Sequence, residues 1–247
     1  MKANVTVNLI MIPVNMMSLN KLYLYIVNKN MYKLEKGIDE SCRRFARDND
    51  LDFVTKGNFH LIQFNQYKQD IIDNCKSKIK EKYILDHYEY VFNKIPEYDG
   101  ILIFNKKDEV CGFLFTKIIK CSNLNYNNQP ILNLICSKKC TTKTKTTVSR
   151  LMMYIYLNSL LQHSFKYGML ELADGVNNAA GYCLYSKYGF KEDIELAKCV
   201  SGICLKMLPM SVDITTLSER KLQDITFNNV DVFSKKIRMS FRKLFKI

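Results

Sequence analysis

The apolar and polar positions in the central part of the chain predict a regular order of strands and one long helix. Short apolar runs at Ile101–Phe104, Val110–Ile119 and Ile131–Cys136 predict three successive strands. The third run is almost wholly apolar, which is typical of a central strand covered on both faces. Val148–Tyr167 has apolar residues on most sides of a helix, so we expect a substantially buried helix that ends at Gly168.

Further patterns flank this central order. A strand is predicted at Met169–Ala173 and a β-rich run at Leu196–Leu208, and Gly112 predicts a bulge or a point of close approach. Before the central part, the pattern predicts four groups of elements: a strand at Val5–Ile12, a helix at about Met31–Arg47, a strand at Phe59–Phe64, and helices at Gln69–Lys82 and Ile84–Lys94.

A motif follows the strand predicted at Met169–Ala173. Residues 178–190 read Asn-Ala-Ala-Gly-Tyr-Cys-Leu-Tyr-Ser-Lys-Tyr-Gly-Phe, with the pattern Asn-x-x-small-x-x-Leu-Tyr-x-Lys-x-Gly-Phe. This segment resembles the second acetyl-CoA motif of the GNAT superfamily of N-acetyltransferases. The resemblance implies an α/β (α+β) fold of the GNAT-like acyl-CoA N-acyltransferase type, with a mixed, mostly antiparallel central sheet flanked by helices.

The same resemblance implies how the chain is divided. We expect a GNAT-like acetyltransferase domain at residues 58–209. Residues 1–57 would form an N-terminal extension or a small α/β subdomain, and residues 210–247 a C-terminal extension that carries a basic amphipathic helix.

In this superfamily, a glycine-rich loop between the central strand and the long helix binds the pyrophosphate of the cofactor through backbone N–H groups and the helix N-terminus. The corresponding segment here, residues 137–150, contains no glycine and is about two residues longer; Thr147 and Ser149 stand where glycine or alanine is expected. β-Branched threonine does not readily adopt φ > 0, so the loop is either rebuilt or only a solvated basic loop. The residues implied to bind acetyl-CoA are Leu134, Ile135, Cys136, Lys143, Lys145, Thr146, Thr147, Val148, Ser149, Arg150, Asn178 and Lys187.

The resemblance also implies catalytic roles. Tyr185 would be the general acid that protonates the departing sulfur, since a phenol with a pKa of about 10 stays protonated at neutral pH; alternatively, it only packs under its helix. Asn178 would begin that helix and hold the cofactor, or only cap the helix. Gly189 and Phe190 would form a helix-ending turn and a core contact.

The general base is not identified by the sequence. Ile131–Cys136 contains no glutamate, and four other residues are candidates, none of which stands out: Asp86, His87, Glu171 and Asp174.

The net charge of +13 suggests a nucleic acid, a membrane surface or an acidic partner. However, only seven of the 37 basic residues are arginines, and the abundance of Lys, Asn, Ile and Tyr indicates an AT-rich genome, such as those of some large DNA viruses and protists. We therefore do not expect nucleic-acid binding. Basic and apolar residues alternate at helical spacing in residues 235–246, and this helix could bind a membrane surface or an RNA backbone, although we favour docking on the domain.

Nine scattered cysteines and three histidines show no zinc-site spacing, so we expect no metal site and reduced thiols in a cytoplasmic, reducing compartment. No apolar run approaches the roughly 18 residues of a membrane span.

Together these features predict an acetyl-CoA-dependent N-acetyltransferase in which a primary amine, of a small molecule or a protein, attacks the thioester directly. The alternative is a catalytically degenerate GNAT-like module that binds a partner. The acceptor, the acyl length and the oligomeric state are left open.

Overall fold

The computed structural model describes residues 32–55, 99–137, 146–172, 178–200 and 207–229. The chain forms two compact units, Met1–Tyr32 and Lys33–Ile247, and the first lies outside the described residues except for Tyr32. The strands predicted at Val5–Ile12 and Phe59–Phe64, the helices predicted within residues 69–94 and the C-terminal basic helix also lie outside them.

Seven strands of the described residues form one mixed sheet in the order β1-β2-β3-β4-β5-β7-β6. The strands are β1 (Leu51–Thr55), β2 (Asp99–Asn105), β3 (Val110–Ile118), β4 (Pro130–Ser137), β5 (Tyr167–Leu172), β6 (Lys191–Glu192) and β7 (Leu208–Asp213). The α-helices of the described residues are α1 (Glu40–Asp48), α2 (Val148–Gln162), α3 (Ala179–Lys187), α4 (Ile194–Val200) and α5 (Glu219–Thr226). Short 3-10 helices lie at Leu34–Gly37 and Ile214–Thr216.

Among these strands, β4 and β5 pair in parallel and the other neighbours pair antiparallel. The predicted fold class, a mixed and mostly antiparallel sheet flanked by helices, is confirmed.

Helix α2 is the centre of the core, and every residue from Leu151 to Leu160 is buried. One side of α2 packs on the sheet, and the 3-10 helix at Leu34–Gly37 covers another side. There the backbones nearly touch, because a Cβ placed on Gly37 would lie 2.0 Å from Ile155 O. Asn158 Nδ2 donates to Gly37 O at 3.1 Å in the same contact. This cover explains why α2 is apolar on most sides, as the sequence predicts.

Two helix predictions are corrected. Helix α2 ends at Gln162, and Gly168 lies within β5, where a Cβ would meet the side chains of Leu157 and Leu160 at 3.1 Å. Gly168 therefore serves close packing and does not end the helix. The helix predicted at Met31–Arg47 is divided, since Asp39 caps α1 by accepting from Cys42 N at 2.9 Å.

Strand β1 was not predicted, and the β-rich run predicted at Leu196–Leu208 begins as helix α4. Strand β1 pairs with β2 at one edge of the sheet, and β7 inserts between β5 and β6. The sheet therefore includes residues on both sides of the domain boundaries predicted near residues 57 and 209, and the whole of it belongs to the compact unit Lys33–Ile247.

Cys121 and Cys199 form a disulfide with a Cα–Cα distance of 5.2 Å, so the expectation of reduced thiols is wrong for this pair. Free cysteines in the described part of the chain include Cys42 and Cys111, which are buried, and Cys183, which is exposed.

None of the helices in the described ranges is long and apolar enough to cross a membrane. Within the same ranges, no group of three or more His, Cys, Asp or Glu residues could hold a metal ion.

Candidate active site

The sheet separates between its two parallel strands. Strand β4 pairs with β5 only at Ile131–Met169 and Leu132–Leu170 among the described residues. At the next residue, Asn133, the register between β3 and β4 shifts, which marks a bulge. Beyond this bulge β4 stays paired with β3, so β4 and β5 diverge towards their C-terminal ends. Leu134, Ile135 and Cys136 therefore pair with β3 on one side, and on the side that faces β5 they lie beyond the last described strand pair.

The closed end of this gap is held by Tyr156 of α2. Its hydroxyl lies 3.0 Å from Pro130 O on β4 and 2.9 Å from Met169 O on β5, and it accepts from Met169 N at 3.0 Å. One buried hydroxyl therefore joins the backbones of both strands just before they part.

The N-terminus of α2 lies beside the end of β4. Thr147 caps the helix by accepting from Arg150 N at 3.3 Å, and a hydrogen bond between the hydroxyls of Ser137 and Ser149 joins the last residue of β4 to the first turn of α2. A Cβ on Gly112 of β3 would lie 2.7 Å from Val148 Cγ1, so the close approach predicted for this glycine is confirmed. The free N–H groups of a helix N-terminus attract anions.

Contacts from distant parts of the chain fix the same turn. Thr146 is buried and donates its hydroxyl to Thr226 O at 2.7 Å, at the end of α5, so this hydroxyl is used for packing. Tyr188 Oη lies 3.0 Å from Arg150 O and 2.9 Å from Thr226 Oγ1. The backbone that begins α2 is thus held between α3 and α5.

Arg150 provides a charged donor here. Its Nη1 atom is buried and has no hydrogen-bond partner among the described residues. Burying an unpaired charged donor is costly, and an anionic oxygen would satisfy it. The N–H groups at the start of α2 and the Arg150 guanidinium therefore form a set of donors that fits a pyrophosphate. Lys143 and Lys145 lie outside the described residues, and Lys187 is the half-buried last residue of α3.

Helix α3 carries the predicted acid. Asn178 caps this helix by accepting from Gly181 N at 3.0 Å, as predicted, and α3 packs on β5, since a Cβ on Gly181 would lie 2.7 Å from Leu172 Cδ1. Tyr185 follows Gly181 by four residues and so lies on the same face of the helix. Its side chain is buried, and its hydroxyl makes no hydrogen bond to any described residue.

Burial raises the pKa of the Tyr185 phenol, because the charged phenolate would be poorly solvated. The phenol therefore stays protonated at neutral pH. The residues after it behave as predicted: Gly189 has φ of 88° in the turn, and Phe190 is buried in the core.

Of the four candidate bases, the structure describes one. Asp86, His87 and Asp174 lie outside the described residues. Glu171 lies on β5 and is half-buried. Burial raises the pKa of its carboxyl, and the charge of Lys117 partly offsets this.

The sequence did not single out Tyr156, Tyr188, Thr226 or Asn133 for the site. Their roles arise from tertiary hydrogen bonds or from a register shift, and none of these has a sequence motif. A tyrosine at a wholly apolar position of α2 was the one available signal for Tyr156, because a buried phenol normally needs a hydrogen-bond partner.

No protein-family model matches the chain, and no curated protein matches it. Solved structures do match. An acetyltransferase of the GNAT family from Staphylococcus aureus matches with 12% identity and a TM-score of 0.49, over 66% of this chain and 99% of that one. A chain of the NatC complex bound to Gag peptide and CoA matches with 15% identity and a TM-score of 0.47, over 66% and 98%. The ribosomal-protein-S18-alanine N-acetyltransferase from Escherichia coli matches with 14% identity and a TM-score of 0.44, over 68% and 97%. In the arrangement of its backbone, the chain is similar to these acetyltransferases.

Proposed function

We propose that the chain is a divergent member of the GNAT superfamily and transfers an acetyl group from acetyl-CoA to a primary amine. The observation that carries this proposal is the divergence of β4 and β5, together with helix α3, which packs on β5 and carries the buried side chain of Tyr185. A gap between two strands offers unpaired main-chain donors to an extended substrate, and Tyr185 offers a proton.

The substrate would be held by groups of three kinds. Main-chain N–H groups of Leu134–Cys136 would bind the extended arm and polarise the thioester carbonyl. The N-terminus of α2 and the Arg150 guanidinium would bind the pyrophosphate. Thr147, Val148 and Ser149 contribute through their positions in that first turn, Asn178 through the start of α3, and Lys143, Lys145 and Lys187 through positive charge.

In the reaction, the amine nitrogen attacks the carbonyl carbon, the C–N bond forms and the C–S bond breaks. The attacking nitrogen gives up one proton to a base, and the departing sulfur takes its proton from the Tyr185 hydroxyl. The acceptor is a primary amine of a small molecule or of a protein.

The first test is acetyl-CoA binding, measured by calorimetry and by thermal melting. Ligand at about 100 times its dissociation constant stabilises a fold by roughly 2.7 kcal/mol, which corresponds to about 5–10 °C for a chain of this size. Binding followed by amine-dependent release of CoA thiol would support the proposal. A well-folded sample that does not bind acetyl-CoA would contradict it and favour the non-catalytic binding module, for which the glycine-free loop is the supporting observation.

Tyr185→Phe tests the acid. We expect kcat to fall about 10²-fold, while the dissociation constant of acetyl-CoA changes little, because the ring and its packing against Phe190 are kept. The matched control is Tyr182→Phe on the same helix, whose hydroxyl donates to Glu192 Oε1 at 3.4 Å near the surface. Equal kcat for wild type and Tyr185→Phe across the pH range would exclude the acid role.

A further inference from the structure

We propose that Glu171 is the general base of this reaction and that the acceptor amine reaches the thioester from the face of the sheet opposite α2 and α3. This inference rests on the proposed acetyl transfer and adds to it the direction of acceptor entry. Three observations support it: the two faces of β5 have different neighbours, Glu171 lies where the gap begins, and its carboxylate has no hydrogen-bond partner among the described residues.

The two faces of β5 have different neighbours. Gly168 and Leu172 face the helices, because the space at Gly168 is bounded by Leu157 and Leu160 of α2, and Leu172 meets Gly181 of α3. Successive residues of a strand point to opposite faces. Met169 and Glu171 therefore point away from α2 and α3. Consistent with this, Met169 belongs to a separate buried cluster on the other face, formed with Ile119, Tyr126, Ile131 and Leu196.

Glu171 also lies where the gap begins. Leu170 is the last residue of β5 that pairs with β4, so Glu171 is the first residue of β5 beyond the closed end. Tyr185 lies on α3, which packs on the other face of β5. The carboxylate and the phenol are thus on opposite faces of one gap. This separation suits direct transfer, since the base acts at the incoming nitrogen while the acid acts at the departing sulfur.

The surroundings of Glu171 suit a base that exchanges protons. Its side chain is half-buried and makes no hydrogen bond or ion pair with any described residue. Burial raises the pKa of the carboxyl, which makes the carboxylate a stronger proton acceptor. Lys117 is the charged group of the described residues that acts on it, and it works in the opposite direction.

Asp193 shows the contrast. It lies in the α4 region, and its carboxylate accepts hydrogen bonds from Tyr126 Oη at 2.7 Å and from Leu196 N at 3.0 Å. A carboxylate whose two oxygens already accept hydrogen bonds in this way has a structural role. Of these two described carboxylates, Glu171 is the one that combines partial burial, no hydrogen bond to a described residue and a position at the gap.

Every proton in the proposed acetyl transfer has a donor and an acceptor. A neutral amine attacks the carbonyl carbon, and the nitrogen gives one proton to the Glu171 carboxylate, directly or through one water. The C–S bond breaks, and the sulfur takes one proton from Tyr185. Glu171 then releases its proton to water, and Tyr185 regains one from water. The net change is transfer of acetyl from sulfur to nitrogen and of one proton from nitrogen to sulfur.

Glu171→Gln in the full chain tests the proposal, since it keeps the size of the side chain and removes its basicity. We expect kcat/KM for a primary alkylamine at pH 7 to fall at least 100-fold and the acid limb of the pH profile to disappear. Acetyl-CoA affinity should stay within about threefold, because the substituted side chain lies on the acceptor side. Glu192→Gln, an exposed change on β6, is the control and should match wild type.

Two further measurements separate catalysis from folding. A primary amine of low pKa, such as 2,2,2-trifluoroethylamine, should lose much less activity in Glu171→Gln, because it is already neutral at pH 7 and its nitrogen releases a proton readily once it attacks; a purely structural defect would reduce both amines equally. Glu171→Asp, which keeps a carboxylate, should retain the acid limb at reduced kcat. An unchanged pH profile in a folded Glu171→Gln would overturn the role of Glu171 and leave acetyl transfer standing. A wild-type protein without amine-dependent thiol release would overturn both.

Discussion

At the scale of single residues, Tyr156 shows how one side chain defines a site. A tyrosine in the middle of a buried helix carries a hydroxyl that must find a partner. Its partners are the carbonyls of Pro130 and Met169 and the N–H of Met169, on the two strands that separate immediately afterwards. The hydroxyl thus fixes the closed end of the gap, and the open end begins one residue later on β5.

Asp193 is a second residue whose contribution can be measured, in this case as the dependence of protein stability on pH. Burial alone would raise the pKa of its carboxyl, but hydrogen bonds from Ser211, from the N–H groups of Leu196 and Glu195, and from Tyr126 outweigh burial and lower it. A lowered native pKa means that the native state binds the proton more weakly than the unfolded chain. The resulting stability is fully present above the unfolded pKa of about 3.9 and is lost as the pH falls through the native value.

We therefore expect Asp193→Asn to destabilise the protein by about 1–2 kcal/mol at pH 7, with the partial exposure of the carboxylate limiting the effect. The difference from wild type should shrink as the pH falls below about 4. Urea unfolding at pH 7 and at pH 3 measures both values. Asp108→Asn, in the exposed turn between β2 and β3, is the control and should be nearly neutral at each pH. A pH-independent difference would contradict the proposed cause.

At the scale of elements, the sequence predicts those whose pattern is decided by local burial. Strands β2 to β5 and helix α2 were predicted within a few residues because each is a run of apolar residues that is covered on both sides. The sequence predicts part of helix α4 as a β-rich run, because Ile194–Val200 mixes β-branched residues with a short helical pattern. Only the packing of this segment under β7 decides that it forms a helix. Strand β1 was missed because a five-residue segment with one Asp carries little periodic signal.

Glycines at close contacts are equally hard to predict, because a contact between two backbones leaves no pattern in the sequence. Gly37→Ala should destabilise the protein by more than about 2 kcal/mol, since its Cβ would lie 2.0 Å from the carbonyl oxygen of Ile155, which the hydrogen bonds of α2 hold in place. Gly168→Ala is the comparison, because its Cβ would meet only the ends of three side chains at 3.1 Å. Thermal unfolding of both variants should show the larger loss at Gly37. The reverse order would mean that the 3-10 helix can move away from α2.

At the scale of the whole molecule, the site joins segments that are far apart in sequence. Thr146 and Thr226 are 80 residues apart, and Arg150 and Tyr188 are 38 apart, yet their contacts together hold one helix N-terminus. The motif at residues 178–190 predicted the start of α3 and the place of Tyr185 because its residues are consecutive. The partner of Thr146 and the face occupied by Glu171 could not be predicted, since both depend on how distant strands align.

The disulfide between Cys121 and Cys199 is the last long-range link, and it provides a test of the whole fold. It joins the segment after β3 to helix α4, with a sequence separation of 78 residues, and both cysteines pack against the cluster around Met169. A cross-link of this span restricts the unfolded chain and contributes about 2–4 kcal/mol to the stability of the fold.

Reduction with dithiothreitol, or the change Cys199→Ser, should lower the melting temperature by about 4–16 °C. Cys183→Ser, at an exposed free thiol, should change it little. Dithiothreitol should lower the melting temperature of Cys199→Ser less than that of wild type, because one of the bonds it reduces is already absent. A melting temperature that is the same in wild type with and without reductant would show that this link does not stabilise the fold.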